Sequence, residues 1–234
     1  MLHTETVDAN TLDLLKQIQS NPHFRETRLV GGTALALQIG HRKSIDLDIF
    51  GNIKLEPLEL TQELQTYGTI SMRSSSQRIH RLVLRGVQLD IIQYDYPWLD
   101  VPVVADGVRL ASVRDIAAMK LAAITNRGTK KDFVDLAFLL DRLDLPQMLD
   151  LYKQKFKDGE SFMVLKSLAF FGDAEEDPMP FMLLPIDWNL AKQRIIESVR
   201  KPLPNSGFTT KATSSTVSGR NTAHPRDSFA VRVP

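Results

Sequence analysis

One stretch limits the possible folds more than any other. It runs Val30-Gly31-Gly32-Thr33-Ala34-Leu35-Ala36-Leu37-Gln38-Ile39-Gly40, then His41-Arg42-Lys43-Ser44, then Ile45-Asp46-Leu47-Asp48-Ile49-Phe50. Two glycines and a hydroxyl residue let the backbone turn closely around an anion. The apolar-rich run behind them has the length of one short helix ending at Gly40. The free N–H groups of its first turn would face that anion. Residues 45–50 alternate apolar and acidic with a period of two, which marks a strand and puts Asp46 and Asp48 on one face. Two carboxylates side by side repel unless a cation joins them. Oxygen-only ligation suits a hard divalent ion, Mg²⁺ or Mn²⁺, that also carries substrate phosphates.

The same alternation is also what the solvent face of an edge strand presents. The rest of the chain bears on the choice. Val87-Gln88-Leu89-Asp90-Ile91-Ile92-Gln93-Tyr94 is a further strand, and it holds one acid among apolar neighbours. A carboxylate there is costly unless it meets a metal or a base. Asp46, Asp48 and Asp90 on neighbouring strands would converge on a two-metal site for in-line displacement at phosphorus. Gly31, Gly32 and Thr33 then hold phosphate, Arg42 is the next phosphate contact by position, and Ser44 is either a contact or a turn former.

Lys120 lies between Ile116-Ala117-Ala118-Met119 and Leu121-Ala122-Ala123-Ile124. Its ammonium either snorkels to solvent or reaches a cleft to hold leaving pyrophosphate. Asp132 opens a later helix with Asp135 in the same turn, where capping and the helix dipole alone favour acids. Arg127 and Lys131 flank the loop between those two helices and would overhang the same cleft.

Periodicity gives a helix over residues 11–19, a short strand at 28–30, a helix over 56–67, strands at 69–72 and 79–84, and another strand at 109–112. Helices follow over 112–123, 131–140, 146–156, 161–171 and 188–199. The expected fold class is α+β. A first domain with a mixed sheet and flanking helices occupies residues 1–105, a helical domain occupies 106–200, and residues 201–234 form a disordered tail. That tail carries five basic residues against Asp227 alone. Residues 71–86 hold Arg73, Arg78, His80, Arg81 and Arg85 with no acid, and 109–131 hold six basic residues against Asp115. Such local strips favour a phosphate-rich ligand. With no cysteine, disulfides and thiolate chemistry are excluded. The polar N-terminus is unlike a signal peptide, no apolar run reaches membrane-spanning length, and the cytoplasm is the expected compartment.

These residues in this order resemble the AbiEii-type nucleotidyltransferase toxin family, a branch of the polymerase β-like nucleotidyltransferase superfamily. Three segments carry the resemblance: residues 31–50, Met119-Lys120-Leu121, and Arg127 with Lys131-Asp132-Phe133-Val134-Asp135-Leu136. Thr33 stands where the family often has serine. The resemblance implies a polymerase β-like mixed sheet followed by an α-helical domain. It also implies Asp46 and Asp48 as the metal pair, Lys120 as the catalytic-site lysine and Asp132 as an essential acid near the nucleotide. Asp90 follows from the superfamily's third carboxylate. Implied too are a nucleoside triphosphate substrate, Mg²⁺ or Mn²⁺, transfer to the 3′ end of transfer RNA, and a separately encoded antitoxin in a toxin–antitoxin or phage-defence system. Two other readings compete. A nucleotide-sugar-dependent glycosyltransferase would want a longer nucleotide-binding βαβ region than the 45 residues before Asp46. A non-catalytic nucleotide-binding module of the same fold would be favoured by loss of an acid or of Lys120, and all are present.

Overall fold

The computed structural model describes residues 1–201, except the side chains of Met72 and Arg73; the expected tail from 202 onward lies outside the described residues. Helix α1 (Ala9–Ser20) precedes strand β1 (Thr27–Leu29), helix α2 (Gly31–Ile39) and strand β2 (Leu47–Gly51). Next come α3 (Pro57–Gln65), β3 (Ile70–Ser75), β4 (Ile79–Leu84), β5 (Val87–Gln93), β6 (Val103–Ala105) and β7 (Val108–Leu110). Five helices complete the chain: α4 (Val113–Asn126), α5 (Lys130–Leu139), α6 (Leu145–Lys155), α7 (Ser161–Leu168) and α8 (Trp188–Arg200).

The strands form one mixed sheet in the order β3-β4-β5-β2-β1-β7-β6. β2 runs parallel to β5 and antiparallel to β1, which runs parallel to β7. The sheet extends to Leu110, past residue 105 where the sequence suggested a boundary, because β7 pairs with β1. Two of the three hairpin turns, β4–β5 and β6–β7, have two consecutive residues with positive φ. These are Arg85-Gly86 (54° and 81°) and Asp106-Gly107 (52° and 83°), the tight turn whose twist matches paired strands.

α2 lies against the sheet through Ala34, Leu35 and Leu37, all fully buried. It also packs on α4, which packs in turn on α5, α6 and α7. The helical layer is therefore built onto the sheet through α2 and α4. Gly40 closes α2 in the left-handed conformation (φ 71°), the usual helix end for glycine. A segment between α7 and α8 runs back to the loop after α2. The Lys43 amide donates to the Phe181 carbonyl at 2.8 Å, the Leu183 amide donates to His41 at 2.9 Å, and Arg42 bridges Met182. The acidic, proline-bearing stretch of residues 173–187 is thus a strap that pins residues 41–43. Among the described residues no helix is long and apolar enough to cross a membrane.

Candidate active site

Where β2 and β5 lie side by side, one face of the sheet meets the N-terminus of α2 and the facing helices α4 and α5. All twelve residues singled out in the sequence line this one cleft: Gly31, Gly32, Thr33, Arg42, Ser44, Asp46, Asp48, Asp90, Lys120, Arg127, Lys131 and Asp132. Topology explains the convergence. Asp48 and Asp90 are register partners on parallel strands, so their side chains share a face. Asp46 precedes β2, which begins at Leu47 and not at Ile45 as the alternation suggested.

The glycine turn is tight for a visible reason. Gly31 has φ 69°, and a Cβ built on it would stand 2.4 Å from Asp48 Oδ2. A Cβ on Gly32 would stand 2.1 Å from Arg42 Nη2. Gly31→Ala is expected to lower stability by roughly 1–3 kcal/mol and to displace Asp48, because both φ and space oppose a methyl group; thermal melts and a transfer assay read the two effects. Thr33 Oγ1 donates to the Asp46 carbonyl and shares a hydrogen bond of 2.8 Å with Ser44 Oγ. Those two hydroxyls brace the loop that carries Asp46.

Behind the cleft lies a buried charge network centred on Asp135. Its Oδ1 accepts from Arg42 Nε at 2.6 Å and pairs with His41 Nε2 at 2.7 Å. Its Oδ2 accepts from Arg42 Nη2 at 2.9 Å and pairs with Lys120 Nζ at 2.6 Å. Lys120 also donates to Asp132 Oδ1 at 2.8 Å, while Thr129 Oγ1 and Arg127 Nε reach Asp132 Oδ2 at 2.6 and 3.3 Å. Asp132 and Asp135 are three apart on α5 and so share a face. Lys120 therefore does not snorkel: it is 4% exposed and faces two carboxylates. Arg42 departs from its expected role as a free phosphate contact. Its Nε and Nη2 grip Asp135, and Nη1 donates to the Lys43 carbonyl. Arg127 and Lys131 are exposed cations at the rim, with side chains 63% and 47% accessible, in loose contact with Asp132 and Asp46 respectively.

Burial opposes the charges of this network, and the ion pairs outweigh it. Lys120 and Arg42 are held above their ordinary pKa values by Asp132 and Asp135. Burial would raise Asp132, yet Lys120 and Arg127 hold it down at about 2, and Asp135 lies well below the ordinary 3.8. An acid whose folded pKa is lowered contributes stability above its unfolded value and loses it as pH falls to the folded one. Asp132 should thus contribute about 2 kcal/mol that disappears between roughly pH 4 and 2. Lys120 contributes below its ordinary 10.5 and loses its share only as pH rises past that. Urea midpoints measured against pH are expected to stay level from about 7 to 10 as far as this network is concerned, to decline below about 6.5 because burial keeps His41 from taking up a proton in the folded state, and to fall steeply below about 4.

The front of the cleft behaves oppositely. Burial, and then Asp90, push Asp48 up to about 6. Burial also raises Asp90, against the pull of Arg81, whose Nε lies 3.3 Å from Asp90 Oδ2. Asp46 Oδ1 is buried with no hydrogen-bond partner. Among the described residues no three acidic or histidine side chains are gathered closely enough to hold a metal alone. Two carboxylates that repel, one of them with an unsatisfied buried oxygen, nevertheless fit a hard dication whose other ligands are phosphate oxygens and water. Asp46 and Asp48 would be its protein ligands, with Asp90 one strand away.

Reading the sequence alone passed over Asp135 as the hub, His41 beside it, and Arg81. It also missed the apolar wall of the cleft, Phe50, Ile92, Ile116 and Met119. The strand alternation of Phe50 with Asp48, and the helical spacing of Ile116 and Met119 with Lys120, were signals available for that wall.

A family model described as nucleotidyl transferase AbiEii toxin, type IV TA system, matches residues 13–213. The chain belongs to the AbiEii family. A curated relative, an uncharacterized protein of Aquifex aeolicus, is 34% identical over 171 residues, covering 70% of this chain and 83% of its own. Three solved structures share the fold. The nucleotidyltransferase toxin MenT4 of Mycobacterium tuberculosis superposes with a TM-score of 0.55 at 16% identity, covering 82% of this chain and 85% of that one. A putative nucleotidyltransferase of Helicobacter pylori gives 0.53 at 19% identity, with 82% and 94% covered. JHP933 of the same organism gives 0.50 at 19% identity, with 82% and 91% covered. This AbiEii protein is a nucleotidyltransferase of a toxin family, with a mixed sheet and flanking helices as expected. Membership carries with it a nucleoside triphosphate as substrate and an antitoxin as the toxin's counterpart, and it sets aside the sugar-transferase and non-catalytic readings.

Proposed function

We propose that the protein transfers a nucleoside monophosphate from a nucleoside triphosphate to the 3′-terminal hydroxyl of transfer RNA, using Mg²⁺ or Mn²⁺ at Asp46 and Asp48. One observation supports this above the others. Three carboxylates that repel one another line a cleft whose edge is a glycine turn and exposed cations. Bound there, the ion supplies charge neutralisation at phosphorus and activates the attacking hydroxyl.

This chain's own residues do the rest. The first-turn amides of α2 at Gly31 and Gly32 cradle phosphate oxygens. Arg127 and Lys131, on exposed side chains at the rim, contact the triphosphate. Lys120 has two of its three N–H groups on Asp132 and Asp135, which leaves one for the leaving pyrophosphate. Arg42 and Asp132 act by positioning: they fix Asp135 and Lys120, and Thr33 and Ser44 fix the Asp46 loop. Asp90 takes the proton of the attacking hydroxyl as its oxygen bonds to the α-phosphorus and the bond to pyrophosphate breaks. An RNA acceptor fits the exposed cations at the cleft, Arg81, Arg127 and Lys131, and the transfer RNA end follows the family resemblance. Such transfer in the cytoplasm would stop translation until the antitoxin counters it, in a toxin–antitoxin or phage-defence setting.

Purified protein incubated with each α-labelled triphosphate, Mg²⁺ and total RNA is expected to label RNA of transfer-RNA size with at least one triphosphate, and chelation should abolish it. No labelled RNA with any triphosphate, or labelling indifferent to chelation, would contradict the reading.

A further inference from the structure

Across the sheet, β4, β5, β2 and β1 follow one another in that order. On the cleft face this places Arg81 beside Asp90, its register partner, Asp90 beside Asp48, and Asp48 against the Gly31 turn at the end of β1. The cleft cations therefore fall into two sets. Lys131 stands with the glycine turn on one side of the acids, its Nζ 3.5 Å from Asp46 Oδ2, and Arg127 overhangs the row, close enough to act on both Asp48 and Asp90. Among the exposed cleft cations whose side chains the structure describes, Arg81 stands on the other side, two strand spacings or about 10 Å from Asp48.

In an in-line displacement the attacking oxygen and the leaving pyrophosphate occupy opposite sides of the phosphorus. With the triphosphate on the glycine side, the acceptor has to enter over Asp90. Arg81 is the cation it meets there. Its hold on Asp90 is loose: one contact of 3.3 Å on a side chain 47% exposed, against the two-pronged 2.6 and 2.9 Å grip of buried Arg42 on Asp135. A guanidinium held so loosely can exchange a carboxylate for a phosphate, or span both. The row continues outward to the exposed, polar Ser74, the register partner of Arg81 on β3. Resting on the reaction proposed above, we infer that Arg81 binds the acceptor's backbone phosphate next to the attacking hydroxyl and thereby aligns that hydroxyl with Asp90.

Steady-state transfer with RNA as the varied substrate tests this in Arg81→Ala, Arg81→Lys and the wild type. A second acceptor whose last internucleotide linkage is a neutral methylphosphonate is run alongside. Arg81→Ala is expected to raise the acceptor KM about tenfold or more with the triphosphate KM unchanged, and Arg81→Lys to recover part of it. The neutral linkage should penalise the wild type similarly and Arg81→Ala no further. An unchanged acceptor KM, a loss confined to kcat, a raised triphosphate KM, or full additivity of the two changes overturns the assignment of Arg81 while leaving the reaction intact. A wild type that labels no RNA overturns the reaction and this assignment with it.

Discussion

Asp48→Asn is expected to reduce nucleotide transfer by about a thousandfold or more while leaving the protein at least as stable as the wild type. The two halves of that expectation have one cause. Asp48 stands at the centre of the acidic row, between Asp90 on the next strand and the Gly31 turn, within reach of whatever cation the phosphates bring. Its carboxylate is held in a crowded, partly desolvated place beside other carboxylates, an arrangement that favours ligand binding at a cost to the fold. Asparagine keeps the shape, removes one of the like charges and cannot serve as an anionic ligand. In chelator, where no ion offsets the repulsion, the variant should melt no lower than the wild type. A variant that retains a tenth of the activity, or that melts several degrees lower, would show that Asp48 serves the fold and not the chemistry.

Asp135→Ala is expected to have the opposite profile, a loss of about 3–5 kcal/mol in folding stability. Asp135 is fully buried and answers Arg42, Lys120 and His41 together. Without it Arg42 loses its bonded carboxylate and Lys120 keeps only Asp132, and the loop after α2 loses its anchor on α5. For a folded body of about this size the melting temperature should fall by roughly 10 °C. The exposed pair Arg85–Asp13 is the control, since Asp13→Ala should change stability by less than about 1 kcal/mol. Denaturant titration of both variants decides it. A loss below 1 kcal/mol in Asp135→Ala would mean that the network is not what joins the helices to the site loop.

Much of the site was legible because local pattern and chemistry coincide there. Gly31-Gly32 before a short helix, and the period-two acids after it, state their geometry within twenty residues. Lys120 announces itself as a charge inside an apolar helix. Asp135 does not, since a first-turn aspartate needs no partner to be favoured, and its contacts with His41 and Arg42 span 94 and 93 residues. Arg42 misleads for the same reason: beside a phosphate cradle it reads as a phosphate ligand until α5 is packed against it. Arg81 lies in a basic strip whose members look alike until the β4–β5 register singles out the one beside Asp90. Strand β6 is not legible from alternation because it is only three residues long, although Asp106-Gly107 after it is a strong hairpin signal. The strap around Phe181 gave no warning. Its hydrogen bonds are made by backbone, and an acidic, proline-bearing sequence says nothing of which loop it crosses.

The central claim is that a nucleotide is joined to an RNA end in the cleft between Asp48 and Asp90. Mass measurement of the 3′-terminal fragments of transfer RNA, after incubation with the protein, Mg²⁺ and triphosphates, tests it most directly. The predicted result is a gain of one or more nucleotide residues on those fragments with wild-type protein and none with Asp48→Asn. Unchanged fragment masses, or the same gain in the Asp48→Asn variant, would contradict it.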